Sequence, residues 1–220
     1  DGATAYVTCQ ENNVIAVVDV ATATVTDLFG LGLKAYCEPG NDLDPSNEDG
    51  GINIANWPFY GYYQPDGIEC YSAGGNMYIV SANEGDARAY DGFDEEGGDD
   101  LDLDEAAYPD ADELQMDENL GRIRISNVEG DLDNDGDVDQ ITGYGGRSFS
   151  IWDAATGDLV FDSGSDLGNI SAVIIPSFFN ANDGDAGEFD ERSDDKGIEP
   201  EGVAIKEIGG NVYAFIIFER

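Results

Sequence analysis

The chain has 220 residues, with 48 acidic and 9 basic side chains, no histidine and a formal charge of −39. So negative a surface repels nucleic-acid phosphates and anionic membranes, which excludes both as direct partners; no apolar stretch approaches membrane-spanning length, so membrane insertion is not expected, and the lack of histidine removes Ser-His-Asp and Cys-His catalysis. At 41% hydrophobic and 10% aromatic the chain still has material for a packed core, so it is not a disordered acidic tail, and its charge suits cations or a saline medium.

Helical periodicity is nearly absent, and strand-like runs rich in Val, Ile, Tyr and Phe recur between Gly, Asn and Asp. The first three are predicted at residues 5–9, 14–20 and 24–28. A polar excursion over residues 33–65 follows, holding Pro39, Pro45, Pro58 and Pro65 and an aromatic cluster from Trp57 to Tyr63. The three cysteines are Cys9, Cys37 and Cys70. Spacing alone does not fix a pairing, but Cys37 and Cys70 flank the same excursion and are the preferred disulfide, leaving Cys9 as a buried thiol in its strand. With no CxxC pair and no histidine, zinc is not expected.

Strands at 67–71 and 77–81 are joined by Ser72-Ala73-Gly74-Gly75-Asn76, a hairpin turn. Residues 91–118 are crowded with acidic side chains and hold no basic one, which reads as a solvated, cation-collecting loop insertion with a short helix near Asp110–Glu118. The next strand is predicted at 122–126.

Within residues 129–140 the run Asp131-Leu132-Asp133-Asn134-Asp135-Gly136-Asp137-Val138-Asp139 has the spacing of a calcium loop. Acidic residues at positions one, three, five and nine offer hard oxygen ligands, and glycine at six permits the sharp turn. Asp131, Asp133, Asp135 and Asp139 are assigned side-chain oxygens, and Asp137 its backbone carbonyl. Position twelve is Thr142, where an EF-hand needs a bidentate glutamate, and the flanks alternate like strands. A calcium loop closing a β-hairpin is therefore expected.

Beyond it, strands at 148–152 and 159–162 form another hairpin, and Asn169-Ile170-Ser171 is a glycosylation sequon in a turn-like stretch. A third polar insertion, 176–200, precedes a last hairpin in which Gly209-Gly210-Asn211 joins strands at 203–208 and 212–218. Short antiparallel strands in weakly self-similar phrases of about 40–50 residues mark a β-propeller. The reading is an all-β chain, residues 1–220 forming one propeller-like domain with about three blades present. Three blades leave open sheet edges, so the chain is expected either to belong to a longer polypeptide or to self-associate, in the manner of a surface fibre.

Four phrases together resemble a known family: Ala5-Tyr6-Val7-Thr8 through Val17-Val18-Asp19; Ser81-Ala82-Asn83-Glu84-Gly85-Asp86-Ala87-Arg88; Gly145-Gly146-Arg147-Ser148 through Trp152-Asp153; and Arg192-Ser193-Asp194-Asp195-Lys196-Gly197-Ile198-Glu199-Pro200-Glu201-Gly202. They resemble the choice-of-anchor I family of secreted and surface-anchored bacterial proteins, related to the mesenchyme-specific cell-surface glycoproteins associated with biomineralisation. The resemblance implies a phytase-like β-propeller, an extracellular or cell-surface location and calcium as cofactor. Some relatives are described as alkaline phosphatases or phytase-like. Domains of that family run to about twice this length, as closure of a repeat fold demands.

Charged phrases at strand ends gather near the channel of a propeller. There Glu84, Asp86, Glu199 and Glu201 are candidate cation ligands, and Arg88 and Arg147 candidates for an anion such as phosphate; the competing reading is Arg–carboxylate pairs that lock the fold. The sequence thus favours an extracellular calcium-binding structural or cell-surface protein. Its alternative is a calcium-dependent phosphoesterase.

Overall fold

A computed structural model describes residues 2–97 and 101–220; residues 98–100 of the acidic stretch lie outside the described residues. The fold is all-β, mostly sheets with few helices. β1 (Thr4–Cys9), β2 (Val14–Asp19) and β3 (Thr24–Gly30) form an antiparallel meander. β4 (Leu33–Ala35) and β5 (Tyr60–Tyr62) begin a five-stranded sheet. β6 (Ile68–Ala73) and β7 (Asn76–Asn83) are a tight hairpin whose turn residues Gly74 and Gly75 both have positive φ, 61° and 89°, as a primed two-residue turn requires. β8 (Ala89–Tyr90) and β9 (Phe93–Asp94) pair with each other.

β10 (Glu96–Gly97), β11 (Ile125–Ser126) and β12 (Thr142–Gly143) complete the five-stranded sheet in the order β10-β11-β12-β5-β4, with β12 parallel to β5. β13 (Ser148–Asp153) and β14 (Leu159–Asp162) join β7 and β6 in a four-stranded antiparallel sheet, order β14-β13-β7-β6. β15 (Pro200–Ile208) and β16 (Asn211–Phe218) are the last hairpin. The helices are α1 (Ala111–Leu114) and α2 (Asp166–Ile174), with single 3₁₀ turns elsewhere.

Two cores hold these sheets. Ile15, Phe29, Leu31, Tyr63, Ile79 and Trp152 form one, between the first meander and the four-stranded sheet. Ile79 is fully buried, and burying an aliphatic side chain of that size contributes about 1.5–3 kcal/mol. Opposite residues across β7 and β13 share a face, so Ile79, Ser81 and Asn83 lie with Trp152, Ser150 and Ser148. The polar half of that face is saturated internally. Trp152 Nε1 donates to Ser81 Oγ at 2.8 Å, Asn83 Nδ2 to Ser150 Oγ at 2.7 Å, and both Ser148 and Ser150 donate to Asp162 Oδ2 at 2.7 Å. Buried Lys34 closes the network, donating to Gly146 O, Gly164 O and Asp162 Oδ1 at 2.9, 2.8 and 3.1 Å.

The second core corrects a sequence expectation. Tyr36, Leu43 and Phe59 pack with Leu103, Tyr108, Leu114, Leu120, Ile123, Ile125 and Ile141. The described part of the 91–118 insertion is thus not a solvated loop: it lays Leu103, Tyr108 and Leu114 into a core while most of its acidic side chains face water. The apolar residues there are too far apart to show a strand or helix period. The expected Cys37–Cys70 disulfide is not formed either. All three cysteines are free, because Cys37 follows β4 in one sheet and Cys70 sits mid-β6 in another. The Asn169 sequon lies on α2, not in a turn; Asn169 is exposed and its Nδ2 donates to Ser165 Oγ at 3.1 Å, while Ser171 is buried.

Candidate functional site

The 131–139 run lies in the connection between β11 and β12, which pair antiparallel at Ile125 and Gly143. The expected hairpin setting is therefore met, with a far shorter first strand than residues 122–126, since Arg124 N bonds Asp194 O at 2.8 Å instead of a strand partner. Backbone contacts anchor the loop on both sides. Val138 N donates to Asp102 O at 2.7 Å and Asp104 N to Val138 O at 3.1 Å, while Asp139 N and Gln140 N both donate to Gly130 O.

Inside the loop, Asp131 is oriented by its own turn: its carboxylate accepts from Asn134 N, Asp135 N and Gly136 N at 2.7, 3.2 and 3.1 Å. Asn134 and Gly136 reach that turn with φ of 64° and 109°, left-handed values that Asn tolerates and Gly adopts freely. Asp139 Oδ2 accepts from Leu132 N at 2.7 Å, which holds the two ends of the loop together. Carboxylate oxygens of Asp131, Asp133 and Asp139 then lie within 4.8 Å of one another.

Asp133 is raised above the usual carboxylate range, first by Asp135 and then by burial and Asp139. Asp137 is pushed up to about 6 by desolvation and by contact with Asp135, and its Oδ1 is buried with no hydrogen-bond partner. The sequence assigned Asp137 only a backbone carbonyl; its side chain is part of the crowded carboxylate set. None of the ion pairs among the described residues involves a loop aspartate. Mutual repulsion without a basic neighbour is the electrostatic condition a hard divalent cation relieves, so the residues fit calcium.

The second predicted constellation is divided by the structure. Glu84, at the end of β7, and Glu199, just before β15, come together, joined by Lys196 Nζ at 2.8 Å from Glu84 Oε1 and 3.4 Å from Glu199 Oε2. Asp86 borders them: its carboxyl is raised, chiefly by burial and against the pull of Lys196, with Glu84 adding to the shift. Glu201 is exposed, and its backbone carbonyl accepts from Gly67 N at 2.8 Å.

The two arginines have separate partners. Arg88 pairs with Glu95, its Nε and Nη2 both 2.6 Å from Oε2. Arg147 is buried and sits at φ 47°; it donates to Asp44 O, Ser193 O and Asp195 O at 2.7, 2.8 and 2.7 Å. Close backbone contact brings these parts together. Gly85 and Gly145, at φ 99° and 84°, meet so tightly that a Cβ on Gly85 would strike Gly145 and one on Gly145 would strike the Glu84 carbonyl.

A family model for the choice-of-anchor I domain matches residues 1–220. The chain belongs to the choice-of-anchor I family. Membership points to a cell-surface or extracellular protein, and no helix of the described residues is long and apolar enough to cross a membrane. Gigasin-3a of Magallana gigas is 36% identical over 111 residues, which is 49% of this chain and 39% of that protein. The chain thus matches well under half the length of that curated relative. No solved structure matches it.

For this choice-of-anchor I domain, sequence reasoning missed three residues of the charged centre. Arg192 donates through Nε to Glu199 Oε1 at 2.7 Å, Arg220 Nε lies 3.4 Å from the same oxygen, and the carboxylate of Glu219 completes a trio with Glu84 and Glu199. Arg192 opens the charged phrase 192–202 and is legible as one of few bases in an acidic chain. Glu219 and Arg220 carry no local signal, because only the return of β16 brings them near β7.

Proposed function

We propose that this chain is a calcium-binding structural module of an extracellular or cell-surface protein, with calcium held by the 131–139 loop. The convergence of Asp131, Asp133 and Asp139 oxygens within 4.8 Å, on a turn pre-shaped by Asp131 and Gly136, carries the reading. Asp135 and Asp137, whose Oδ1 is buried with no hydrogen-bond partner, are the candidates for further oxygens, and water completes a coordination of about six to eight. Backbone bonds of Val138 with Asp102 and Asp104 tie the acidic 101–104 segment to this loop, and calcium bound there neutralises repulsion that otherwise opposes folding, that of Asp104 and Asp137 included.

A partial β-propeller is the architecture we propose around it. The β6-β7-β13-β14 meander has the four antiparallel strands of one blade, the β1-β2-β3 meander packs on it through a shared apolar core, and β15-β16 begins a third. The strong exposure of Phe215 and Ile217 on β16 supports a further packing surface, supplied by more of the polypeptide or by another copy. The phosphoesterase alternative has less support, because the Arg88 and Arg147 guanidinium groups are already committed to protein acceptors.

Thermal unfolding in excess calcium and in chelator tests the calcium assignment. Binding to the native state alone stabilises by about 2.7 kcal/mol at a free concentration one hundred times Kd. Asp133→Ala is expected to lose most of that increment; an equal calcium-dependent shift in both proteins refutes the loop as the site.

A further inference from the structure

We propose that Glu84, Glu199 and Glu219 form a second divalent-cation site, separate from the 131–139 loop, which clamps the β15–β16 hairpin to the end of β7. One carboxylate oxygen from each lies within 4.8 Å of the others. Glu199 is the decisive member. Its side chain is fully buried, and Oε1 is saturated by Arg192 Nε and Nη2, both at 2.7 Å. Its Oε2 is buried with no hydrogen-bond partner; Lys196 Nζ, at 3.4 Å, is the cation nearest to it in the network. A carboxylate oxygen desolvated without a donor is costly unless a cation or water completes it.

The charge count agrees. Lys196, Arg192 and Arg220 form one connected ion-pair network with Glu84, Glu199, Glu219, Asp195 and Asp183. Three bases face five carboxylates, so the network stays net negative. Asp66 and Asp86, both raised first by burial and also by Glu84, border the network and add to its negative field. Glu219, with 38% of its side chain exposed, opens the site to solvent and provides the entry path.

The ligand class follows from the donors. All three are carboxylates and none is nitrogen or sulfur, which points to a hard divalent cation such as calcium, with waters completing its shell. The three come from distant parts of the chain, and the backbone already links two of them, Glu219 N donating to Glu199 O at 2.9 Å. A cation there joins the final hairpin to the central sheet; with none bound, Lys196 is the internal substitute that bridges Glu84 and Glu199.

Equilibrium dialysis of calcium at physiological salt, on the whole chain, separates the two sites. Glu219→Gln, a substitution at a partly exposed residue, is expected to remove one tightly bound calcium and keep the other. Asp133→Ala is expected to remove the other alone, and the double variant both. Glu84→Gln is the second probe of the clamp and is expected to behave as Glu219→Gln does. As an independent readout, calcium is expected to slow hydrogen exchange across β16 in the wild type and not in Glu219→Gln. Unchanged stoichiometry and affinity in Glu219→Gln and Glu84→Gln overturn the second site, whatever Asp133→Ala shows; loss in both glutamate variants with none in Asp133→Ala overturns the loop and leaves the clamp.

Discussion

Replacing Arg147 by alanine distinguishes a guanidinium that builds the fold from one that serves chemistry. The side chain reaches from the start of β13 to two other segments, donating to the carbonyls of Asp44, Ser193 and Asp195 at 2.7, 2.8 and 2.7 Å. Its Cδ and Nη1 also pack against Gly197, where a Cβ would come within 3.1 Å of either atom. Truncation leaves three carbonyls without their donor and opens a cavity; at about 1–3 kcal/mol for each buried acceptor left unsatisfied, the loss is about 3–5 kcal/mol where water relieves part of it. Against a stability of about 5–15 kcal/mol for a single domain, that removes a third or more. Urea unfolding measures it: the midpoint is expected to fall with the slope unchanged. Arg147→Lys is expected to recover only part, because an ammonium does not span three acceptors as the planar fork does. A loss under about 1 kcal/mol for Arg147→Ala refutes the structural role.

Two further outcomes follow from the same geometry. Asp44 is pushed up to about 6 and Asp190 to about 7, both chiefly by burial, so the folded chain holds these protons more tightly than the unfolded one; their contribution is complete below about pH 4 and is lost as pH rises through 6 to 7. Burial raises Glu199 but Lys196 and Arg192 override it, so its pKa is lowered and its contribution is lost as pH falls through the acid range. Urea midpoints are therefore expected to rise from pH 8 to about pH 5 and to fall below about pH 4; a steady decline from pH 8 downward contradicts the burial of Asp44 and Asp190. Sedimentation at high salt, where repulsion within a chain of charge −39 is screened, is expected to reveal concentration-dependent association through the exposed apolar face of β16. A strictly monomeric chain under those conditions refutes the proposal that copies cover one another.

The parts of the fold written in local patterns were legible from the residues. Alternating apolar positions marked the strands of the first meander, the four-stranded sheet and the last hairpin, and Gly74-Gly75 and Gly209-Gly210 marked their turns. The five-stranded sheet was not legible, because β11 and β12 are two residues each and show no period. α2 was missed since Gly168 and the β-branched Ile170, Val173 and Ile174 are poor helix formers, so its helicity comes from context. The acidic 131–139 loop, proposed to hold calcium, was readable because its aspartates lie within nine positions. Glu84 and Glu199 were readable as charged phrases, whereas their meeting with Glu219 depends on the pairing of β15 and β16 and has no local trace.

Anomalous diffraction from crystals grown in calcium tests the central claim most directly. The account predicts a calcium peak bounded by Asp131, Asp133 and Asp139, with oxygens at about 2.3–2.6 Å. Calcium-saturated crystals with an ordered 131–139 loop and no peak between those carboxylates contradict it.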